Sequence, residues 1–292
     1  MDIRNLLLYI VTVLIWGSTW LAITWQLGVV DPLVSIFYRF GLSAVIILAY
    51  CVLSGRSLRF SLKNHLFMVL MGLTLFSTAY WLVYLAETML TSALVAVVFS
   101  SMIFMNVVNG ALFLKTKVRW HVVAGGIVGF VGVLLIFWPE IAGFRLNENA
   151  FPGFILSLAG VYGASVGNII SARNQNRKMA VIPTNGFAMG YGALAMLALA
   201  VILGRPVVFD MSLRYVSSLV YLSLFGSVIA FTCYLTLIGR IGADRAAYAS
   251  MLFPLVALVL SAVFEGYRWS GISLLGTLLI VGGNFMVIRF RH

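Results

Sequence analysis

The sequence has 292 residues, of which 62% are hydrophobic and 9% are charged, and its formal net charge is +11. About a quarter of the residues of a soluble domain are charged, so water could not solvate this chain and most of it must lie in lipid. The basic residues lie in short links between apolar stretches, which argues against a nucleic-acid-binding protein. Cys51 and Cys233 lie inside apolar runs and form neither a disulfide framework nor a metal-ligand spacing.

Ten apolar windows are long enough to cross the hydrocarbon core of a bilayer, which needs about 20 residues. In chain order they are 6–25, 33–53, 66–86, 92–114, 120–138, 151–171, 179–203, 215–237, 246–264 and 270–288. Arg39 is the one Asp, Glu, Lys or Arg residue inside a window. The alternation of polar and apolar residues that is typical of the strands of membrane β-barrels is absent, which argues against a β-barrel. The sequence therefore predicts an all-α polytopic membrane protein with ten transmembrane helices.

The distribution of Lys and Arg predicts that both termini are cytoplasmic. With that orientation, 14 of the 19 basic residues lie on the cytoplasmic side. They are Arg4, Arg56, Arg59, Lys63, Lys115, Lys117, Arg119, Arg173, Arg177, Lys178, Arg240, Arg245, Arg289 and Arg291. The opposite side holds Arg145, Arg205, Arg214 and Arg268, with Asp31, Glu87, Glu140, Glu148, Asp210 and Glu265. A multi-pass protein of the cell inner membrane is expected.

The two halves of the chain can be overlaid at a shift of about 150 residues. The matched positions are Ala96 with Ala246, Ser100 with Ser250, Gly126 with Gly276, Gly132 with Gly282, Pro32 with Pro183, and Gly41 with Gly192. Chance similarity between apolar segments is the alternative. Because five spans per half is an odd number, the second half must enter the membrane with opposite polarity. We therefore predict a first repeat at 1–138, a linker at 139–150 and a second repeat at 151–292.

The chain resembles the drug/metabolite transporter superfamily, specifically ten-helix exporters with two EamA-type repeats. The resemblance rests on Trp16-Gly17-Ser18-Thr19-Trp20, on Arg39-Phe40, and on Pro254 in the ninth helix, together with the glycine pairs above. Among subgroups, the YddG-type amino-acid exporters are the most similar. The resemblance implies two inverted five-helix repeats and a substrate site at their interface near the middle of the membrane.

Two positions depart from the pattern of that superfamily. Phe104 stands where the repeat would place a proline like Pro254. Lys115 stands where the family often has a glutamate, which the second half keeps as Glu265. These departures indicate that the two halves are not functionally equivalent.

Polar and aromatic side chains inside the spans are candidate substrate contacts, because unpaired polar groups are costly in lipid. The candidates are Trp16, Thr19, Ser77, Tyr80, Trp81, Tyr84, Ser100, Tyr162, Ser165, Asn168, Tyr248 and Ser250. Helical spacing places Ser77, Tyr80 and Tyr84 on one face. A cavity lined by this set would be neutral, aromatic and rich in hydroxyl groups. Packing between helices is the alternative for the Ser77–Tyr84 cluster and for the mid-span serines.

Arg39 lies about two turns inside the extracellular end of the second window. An ionisable residue at that depth is a functional candidate by default. It could be a structural charge paired with Glu87 or Asp31, or a counter-charge for a substrate carboxylate. The structural pairing is favoured because the long arginine side chain can reach the interface.

The function predicted from the sequence is export or exchange of small neutral or zwitterionic metabolites, such as amino acids, by alternating access. No window contains an acidic residue, which argues against a proton-coupled antiporter of cationic drugs. One buried arginine is too few for phosphate-rich substrates. The alternatives are a multidrug or other metabolite exporter and a non-transporting membrane scaffold.

No enzymatic activity is predicted. The 3 histidines lie in links, at a span edge or at the terminus, so no catalytic residue, metal site or cofactor is expected. The expected partners are a small-molecule substrate and the lipid bilayer, without nucleic acid, and the sequence is compatible with a monomer.

Overall fold

The computed structural model describes residues 2–142, 150–264 and 270–289, and all regular secondary structure in these ranges is helical. Most of the predicted linker 139–150 lies outside the described residues. The same holds for Arg145, Glu148, Glu265, Arg268 and Arg291.

Ten membrane helices, numbered α1 to α10, correspond to the ten predicted windows. They are α1 Ile3–Thr24, α2 Pro32–Leu53, α3 Leu62–Glu87, α4 Ser92–Phe99 continued by Met102–Leu114, α5 Trp120–Ile136, α6 Ala150–Asn176, α7 Val181–Ile202, α8 Leu213–Ile241, α9 Ala249–Phe264 and α10 Gly271–Arg289. Short helices Trp138–Ala142 and Ala243–Ala247 follow α5 and precede α9. Among the described residues, 7 of the ten are long and apolar enough to cross a membrane, and α1 and α5 contain shorter apolar stretches. The all-α membrane architecture is thus confirmed.

The third helix of each half begins at a serine cap. The Ser61 side chain accepts a hydrogen bond from the Asn64 amide at the start of α3. The Ser212 side chain accepts one from the Tyr215 amide at the start of α8. These hydroxyls satisfy an amide group that the first helical turn leaves unpaired.

The same two helices each contain a π-helical segment, at Thr74–Thr78 in α3 and Leu222–Ile229 in α8. In the neighbouring helices, α4 is interrupted at Ser100 and Ser101, and a turn at Tyr248 precedes α9. π-Helical segments and broken membrane helices occur frequently at functional sites. Both irregularities recur in the two halves of the chain.

Equivalent helices of the two halves pack against each other, α2 against α7 and α5 against α10. Along α2 and α7 the contacts run from Gly41 with Ala193 to Ala44 with Gly190, so residue numbers rise on one helix as they fall on the other. The pair is therefore antiparallel, as an inverted repeat requires.

The α5–α10 pair is a seam of glycines. A Cβ atom added at Gly132 would lie 2.5 Å from the Gly276 carbonyl oxygen, and one at Gly125 would lie 2.7 Å from that of Gly283. Real Cβ atoms do not approach so closely, so the two backbones are in direct contact. Small residues permit this approach in membranes, and the register is again antiparallel.

The first helix of each half packs across the interface. Helix α1 packs against α8 and α9, and α6 packs against α3 and α4. The first helix of each half therefore packs against the third and fourth helices of the other half. A central space lies between α1, α3, α6 and α8.

Candidate functional site

A cavity of about 70 Å³ lies in this central space. It is lined by Trp16, Thr19, Ile23, Arg39, Leu75, Ala79, Tyr80, Val83, Phe99, Met102, Ala164, Asn168, Phe231, Tyr234, Ser250 and Phe253. At roughly 10–15 Å³ per water molecule on this measure, the cavity has room for a handful of waters or a comparably small solute. Residues from both halves of the chain form its wall.

Trp16 is the centre of the aromatic part of the cavity. Its ring centroid lies 4.7 Å from that of Phe231, 4.9 Å from that of Tyr234 and 5.7 Å from that of Phe253. The indole Nε1 donates a hydrogen bond of 2.9 Å to the Gly226 carbonyl in the π-helical segment of α8. The indole is therefore fixed in position, with its ring against apolar and aromatic neighbours.

Arg39 supplies the positive charge of the cavity and is 1% exposed. Its Nε donates a hydrogen bond of 3.0 Å to the Ser227 hydroxyl of α8. Its Cζ lies 4.8 Å from the centroid of the Tyr80 ring and 5.2 Å from that of Phe40, within the range of cation–π attraction. Its Nη1 has no hydrogen-bond partner in the part of the chain that the structure describes.

Among the described residues, Arg39 makes no ion pair with either Asp31 or Glu87. Asp31 accepts a hydrogen bond from the Leu33 amide at the start of α2 and pairs with Arg205 at 3.6 Å. The Glu87 carboxylate makes no ion pair or hydrogen bond within the described residues. Asp31 caps α2 because an acidic side chain beside Pro32 can accept from the first amides of the helix. Arg39 instead bonds the Ser227 hydroxyl of α8.

Six of the residues predicted from the sequence line the cavity. They are Trp16, Thr19, Arg39, Tyr80, Asn168 and Ser250. They come from five different helices, α1, α2, α3, α6 and α9. The structure thus brings these side chains around one space.

The predicted hydroxyls and phenols outside the cavity wall serve packing. Ser77 and Ser100 donate hydrogen bonds to backbone carbonyls of their own helices. Ser165 accepts a hydrogen bond of 2.9 Å from Asn109, and Tyr248 donates one of 2.8 Å to the Ile280 carbonyl. Ser165 and Tyr248 thus join neighbouring helices, whereas Ser77 and Ser100 bond within their own helices.

The other three candidates also lie outside the cavity wall. Trp81 is half-buried, and Tyr84 is fully buried beside it on α3. Tyr162 is 50% exposed on the outer surface of α6. Tyr162 and Asn168 point in directions about 120° apart, because six residues turn a helix by about 600°.

Several cavity residues escaped the sequence analysis. Phe99, Met102, Phe231 and Phe253 are apolar residues within apolar windows, so their chemistry did not distinguish them from lipid-facing neighbours. Tyr234 offered a signal, because its phenol is a polar group within the apolar window 215–237.

A polar layer closes the cavity on one side. The Asn168 amide Nδ2 lies 3.2 Å from the Tyr234 hydroxyl and 3.2 Å from the Met102 sulfur, donating to both. Beside it, Asn106 donates a hydrogen bond of 2.9 Å to the Ala243 carbonyl. This layer joins α4, α6 and α8 by side chains.

Beyond that layer lies a larger cavity, the vestibule, of about 670 Å³. Its wall includes Asn5 near the start of α1, the end of α4, the end of α8, and the basic residues Lys117, Arg119, Arg240 and Arg245. Arg119 pairs with Asp244 at 3.6 Å, and Arg240 donates to the Asn5 side chain at 3.1 Å. The vestibule therefore lies at the end of the bundle where α1 begins, and Asn106 of the polar layer is part of its wall.

The described residues contain no group of three or more His, Cys, Asp or Glu side chains that could hold a metal ion. The chemistry of the cavity is thus that of aromatic rings, hydroxyl and amide groups, and one guanidinium. Such a wall can stack against an apolar solute and bind a carboxylate.

Comparisons with known proteins find similarity over nearly the whole chain. The model of the EamA-like transporter family matches residues 3–138 and 147–289. A solved protein crystal structure superimposes with a TM-score of 0.78 at 21% identity and covers 99% of this chain and 98% of that chain. At this identity the likeness shows the fold alone.

Curated relatives are similar at low identity. Protein PagO of Salmonella typhimurium is 25% identical, covering 98% of this chain and 93% of its own length. The uncharacterized inner membrane transporter YedA of Escherichia coli is 29% identical, and the match covers 96% of this chain and 89% of the relative. The probable amino-acid metabolite efflux pump of Escherichia coli is 26% identical, and the match covers 68% of this chain and 69% of the relative.

Proposed function

This chain belongs to the EamA-like transporter family, and from that membership we propose that it exports or exchanges small neutral or zwitterionic metabolites, such as amino acids, by alternating access. The multi-pass transporter architecture is the premise. The solute class is our proposal. It is supported by the wall of the cavity and by the name of one relative, a probable amino-acid metabolite efflux pump.

The observation that carries the proposal is the position of Arg39 in an otherwise neutral cavity. The guanidinium is buried, its Nη1 has no partner in the described chain, and aromatic rings surround it. A buried charge without full hydrogen bonding is costly. A solute with a carboxylate and an apolar body would satisfy both parts of this wall.

Alternating access is supported by the two spaces on one path. The central cavity of about 70 Å³ is lined by Asn168 and Tyr234, and the larger vestibule of about 670 Å³ is lined by Asn106. Separation of the Asn168 and Tyr234 side chains would join the cavity to the vestibule. In an inverted repeat, the exchange of roles between the halves then opens the opposite side.

The orientation is also part of the proposal. The vestibule face carries Lys117, Arg119, Arg240 and Arg245, and basic residues collect on the cytoplasmic side. We assign this face and both termini to the cytoplasm, with the repeats at 1–138 and 151–292 joined by the linker 139–150 on the outer side.

Counterflow in proteoliposomes tests the function. Vesicles loaded with one unlabelled amino acid should accumulate the same labelled amino acid transiently, with or without a pH gradient. The test uses a panel of neutral amino acids and a parallel panel of cationic amphiphiles. Counterflow of the amphiphiles alone would favour a multidrug exporter, and the absence of counterflow in both panels would overturn the transport proposal.

A further inference from the structure

The vestibule concentrates positive charge on one concave wall. Four cationic side chains line it, those of Lys117, Arg119, Arg240 and Arg245. Among the described residues that line it, Asp244 is the one acidic residue. Four cationic groups against one carboxylate leave an excess of three positive charges in the wall.

The four cations come from separate parts of the chain. Lys117 and Arg119 belong to the link between α4 and α5, Arg240 lies in the last turn of α8, and Arg245 lies in the short helix that precedes α9. The sorting of basic residues to the cytoplasmic side requires only that they lie in the links. Arg59 fulfils that requirement as an exposed residue of the α2–α3 link that is not part of this wall. The convergence of four cations on one cavity is therefore an additional feature.

The contacts of these side chains neutralise only part of the charge. Arg119 Nη1 lies 3.6 Å from Asp244 Oδ1 and donates a hydrogen bond of 3.3 Å to the Ile241 carbonyl. Arg240 Nη1 donates to the Asn5 side-chain oxygen at 3.1 Å. A neutral acceptor orients a guanidinium without balancing its charge, so the wall keeps its positive excess.

Solutes can reach this wall from the aqueous side. Lys117 and Arg240 are exposed, and the Arg119 side chain is 37% exposed. A cleft lined by one sign of charge, with walls of low dielectric constant, focuses the field and concentrates counter-ions. At roughly 10–15 Å³ per water molecule, the volume of about 670 Å³ has room for a polyatomic anion and its hydration shell.

We propose that the vestibule is a binding site for a multivalent, phosphate-bearing anion, separate from the central cavity. The planar guanidinium forks bind phosphate oxygens in pairs, and a lysine adds a point charge. An anion with about two or more negative charges balances the excess better than a monovalent carboxylate does. The neutral side chains of the wall that can add hydrogen bonds are Asn5, Thr116 and Asn176.

A bound anion would connect the two halves of the chain. Lys117 and Arg119 precede α5 in the first half, whereas Arg240 and Arg245 belong to the second half. An anion shared between these side chains ties the α4–α5 link to the end of α8. A ligand that binds only the folded protein raises its unfolding temperature, so the site can be tested without any measurement of transport.

The test is the unfolding temperature of the full-length, detergent-solubilised protein during titration with an anion. The probes are pyrophosphate and dihexanoylphosphatidylglycerol, because a soluble diphosphate and the headgroup of an anionic lipid share the proposed chemistry. Sodium chloride at equal ionic strength and dihexanoylphosphatidylcholine are the matched controls. We expect an anionic probe to raise the unfolding temperature beyond its control, and the concentration dependence gives an apparent Kd.

Variants assign the binding to the vestibule. Lys117→Gln and Arg240→Gln should each weaken the apparent affinity about two- to fivefold, as expected for a partly exposed charge. Arg59→Gln removes the same charge outside the wall and should change nothing. Asp244→Asn should tighten binding, because it removes the one carboxylate and releases Arg119. Tighter binding cannot result from poor folding, so this variant keeps the test decisive if a neutral variant of a cation unfolds.

The outcomes separate the source of the phosphate from the existence of the site. A response to pyrophosphate that the vestibule variants weaken supports a site for a soluble anion. A response to phosphatidylglycerol alone, weakened by the same variants, supports a site for a lipid headgroup. The proposal is overturned if neither probe exceeds its control, if Arg59→Gln weakens binding as much as the vestibule variants, or if folded Asp244→Asn binds more weakly. None of these results bears on amino-acid counterflow, which tests the proposed function by itself.

Discussion

Ser77 in α3 and Ser227 in α8 occupy equivalent places in the two halves of the chain. Each hydroxyl donates a hydrogen bond to the carbonyl five residues earlier, Ser77 to Gly72 and Ser227 to Leu222. The two bonds lie in the two π-helical segments. Ser227 additionally accepts a hydrogen bond from Arg39 Nε. The same serine-to-carbonyl hydrogen bond therefore occurs in both halves, and in the second half the serine also binds the Arg39 side chain at the cavity.

Ser227→Ala should weaken transport because Arg39 loses the partner of its Nε. A hydrogen bond to a charged group contributes about 1.5–3 kcal/mol, so we expect the apparent affinity for the solute to fall at least about tenfold. The measurement is the concentration dependence of counterflow. Ser77→Ala removes the same helical hydrogen bond without touching Arg39 and is the matched control; equal losses in both variants would contradict the prediction.

Tyr80→Leu should impair transport and Tyr162→Leu should not. Tyr80 lines the cavity and its ring faces the Arg39 guanidinium, an attraction of about 0.5–2 kcal/mol. Tyr162 is half exposed on the outer surface of α6. We expect a several-fold weaker apparent affinity for the first variant in the same assay. A larger effect from Tyr162→Leu would place the substrate path elsewhere.

Gly132→Ala should destabilise the protein. The added methyl group would collide with the Gly276 carbonyl oxygen and force α5 away from α10. We expect a loss of about 1–3 kcal/mol, seen as a lower unfolding temperature of the detergent-solubilised protein.

Gly282→Ala is the control for that substitution. A Cβ atom added at Gly282 meets nothing within 4 Å, and alanine favours a helix over glycine by about 1 kcal/mol. The unfolding temperature should stay the same or rise. Equal destabilisation by both substitutions would contradict the prediction, because helix propensity favours alanine at both positions and only Gly132 contacts the backbone of α10.

Tyr234→Phe should loosen the layer between the cavity and the vestibule. The variant keeps the ring that contacts Trp16 and loses the hydroxyl that Asn168 bonds. A hydrogen bond of about 0.5–1.5 kcal/mol corresponds to roughly two- to tenfold faster opening.

The measurement for that variant is thiol labelling of a Ser250→Cys cavity residue, in a background with Cys51→Ser and Cys233→Ser. Tyr221→Phe is the control, because its hydroxyl bonds Ser18 and does not line the cavity. Faster labelling in the control, or no change in Tyr234→Phe, would argue that another barrier limits access.

Labelling from the two sides of the membrane tests the orientation. Met211→Cys, at an 83% exposed site between α7 and α8, should react with an impermeant maleimide in intact cells. Ser57→Cys, at an exposed site between α2 and α3, should react after the membrane is opened. The same Cys51→Ser, Cys233→Ser background applies, and the reversed pattern would place both termini outside the cytoplasm.

The sequence predicts the helices well because apolar length depends on local composition alone. The ten windows correspond to ten helices, and seven of these are long enough by themselves to span a membrane. Helix α3 extends beyond the predicted membrane window at both ends. The window 66–86 stopped before Glu87 because a carboxylate is costly in lipid, yet the helix continues through Glu87 and its carboxylate oxygens are buried.

The site could be predicted only in part. Trp16, Arg39 and Tyr80 carry polar or aromatic groups that stand out within apolar windows, and they line the cavity. The partner of Arg39 lies 188 residues away on α8, and no local pattern reveals such a contact. Phe231 is chemically the same as the lipid-facing phenylalanines, so its place in the wall required the packing of the helices.

The Arg39–Ser227 contact has no counterpart across the pseudo-twofold axis. The position matched to Arg39, by the offset that joins Gly41 to Gly192, is Gly190, which packs against Ala44. Under the proposed alternating-access mechanism, the inward-open and outward-open states would therefore not be mirror images and would differ in energy. Without any gradient, the resting population would then favour one state, and a solute would bind with unequal apparent affinity from the two compartments.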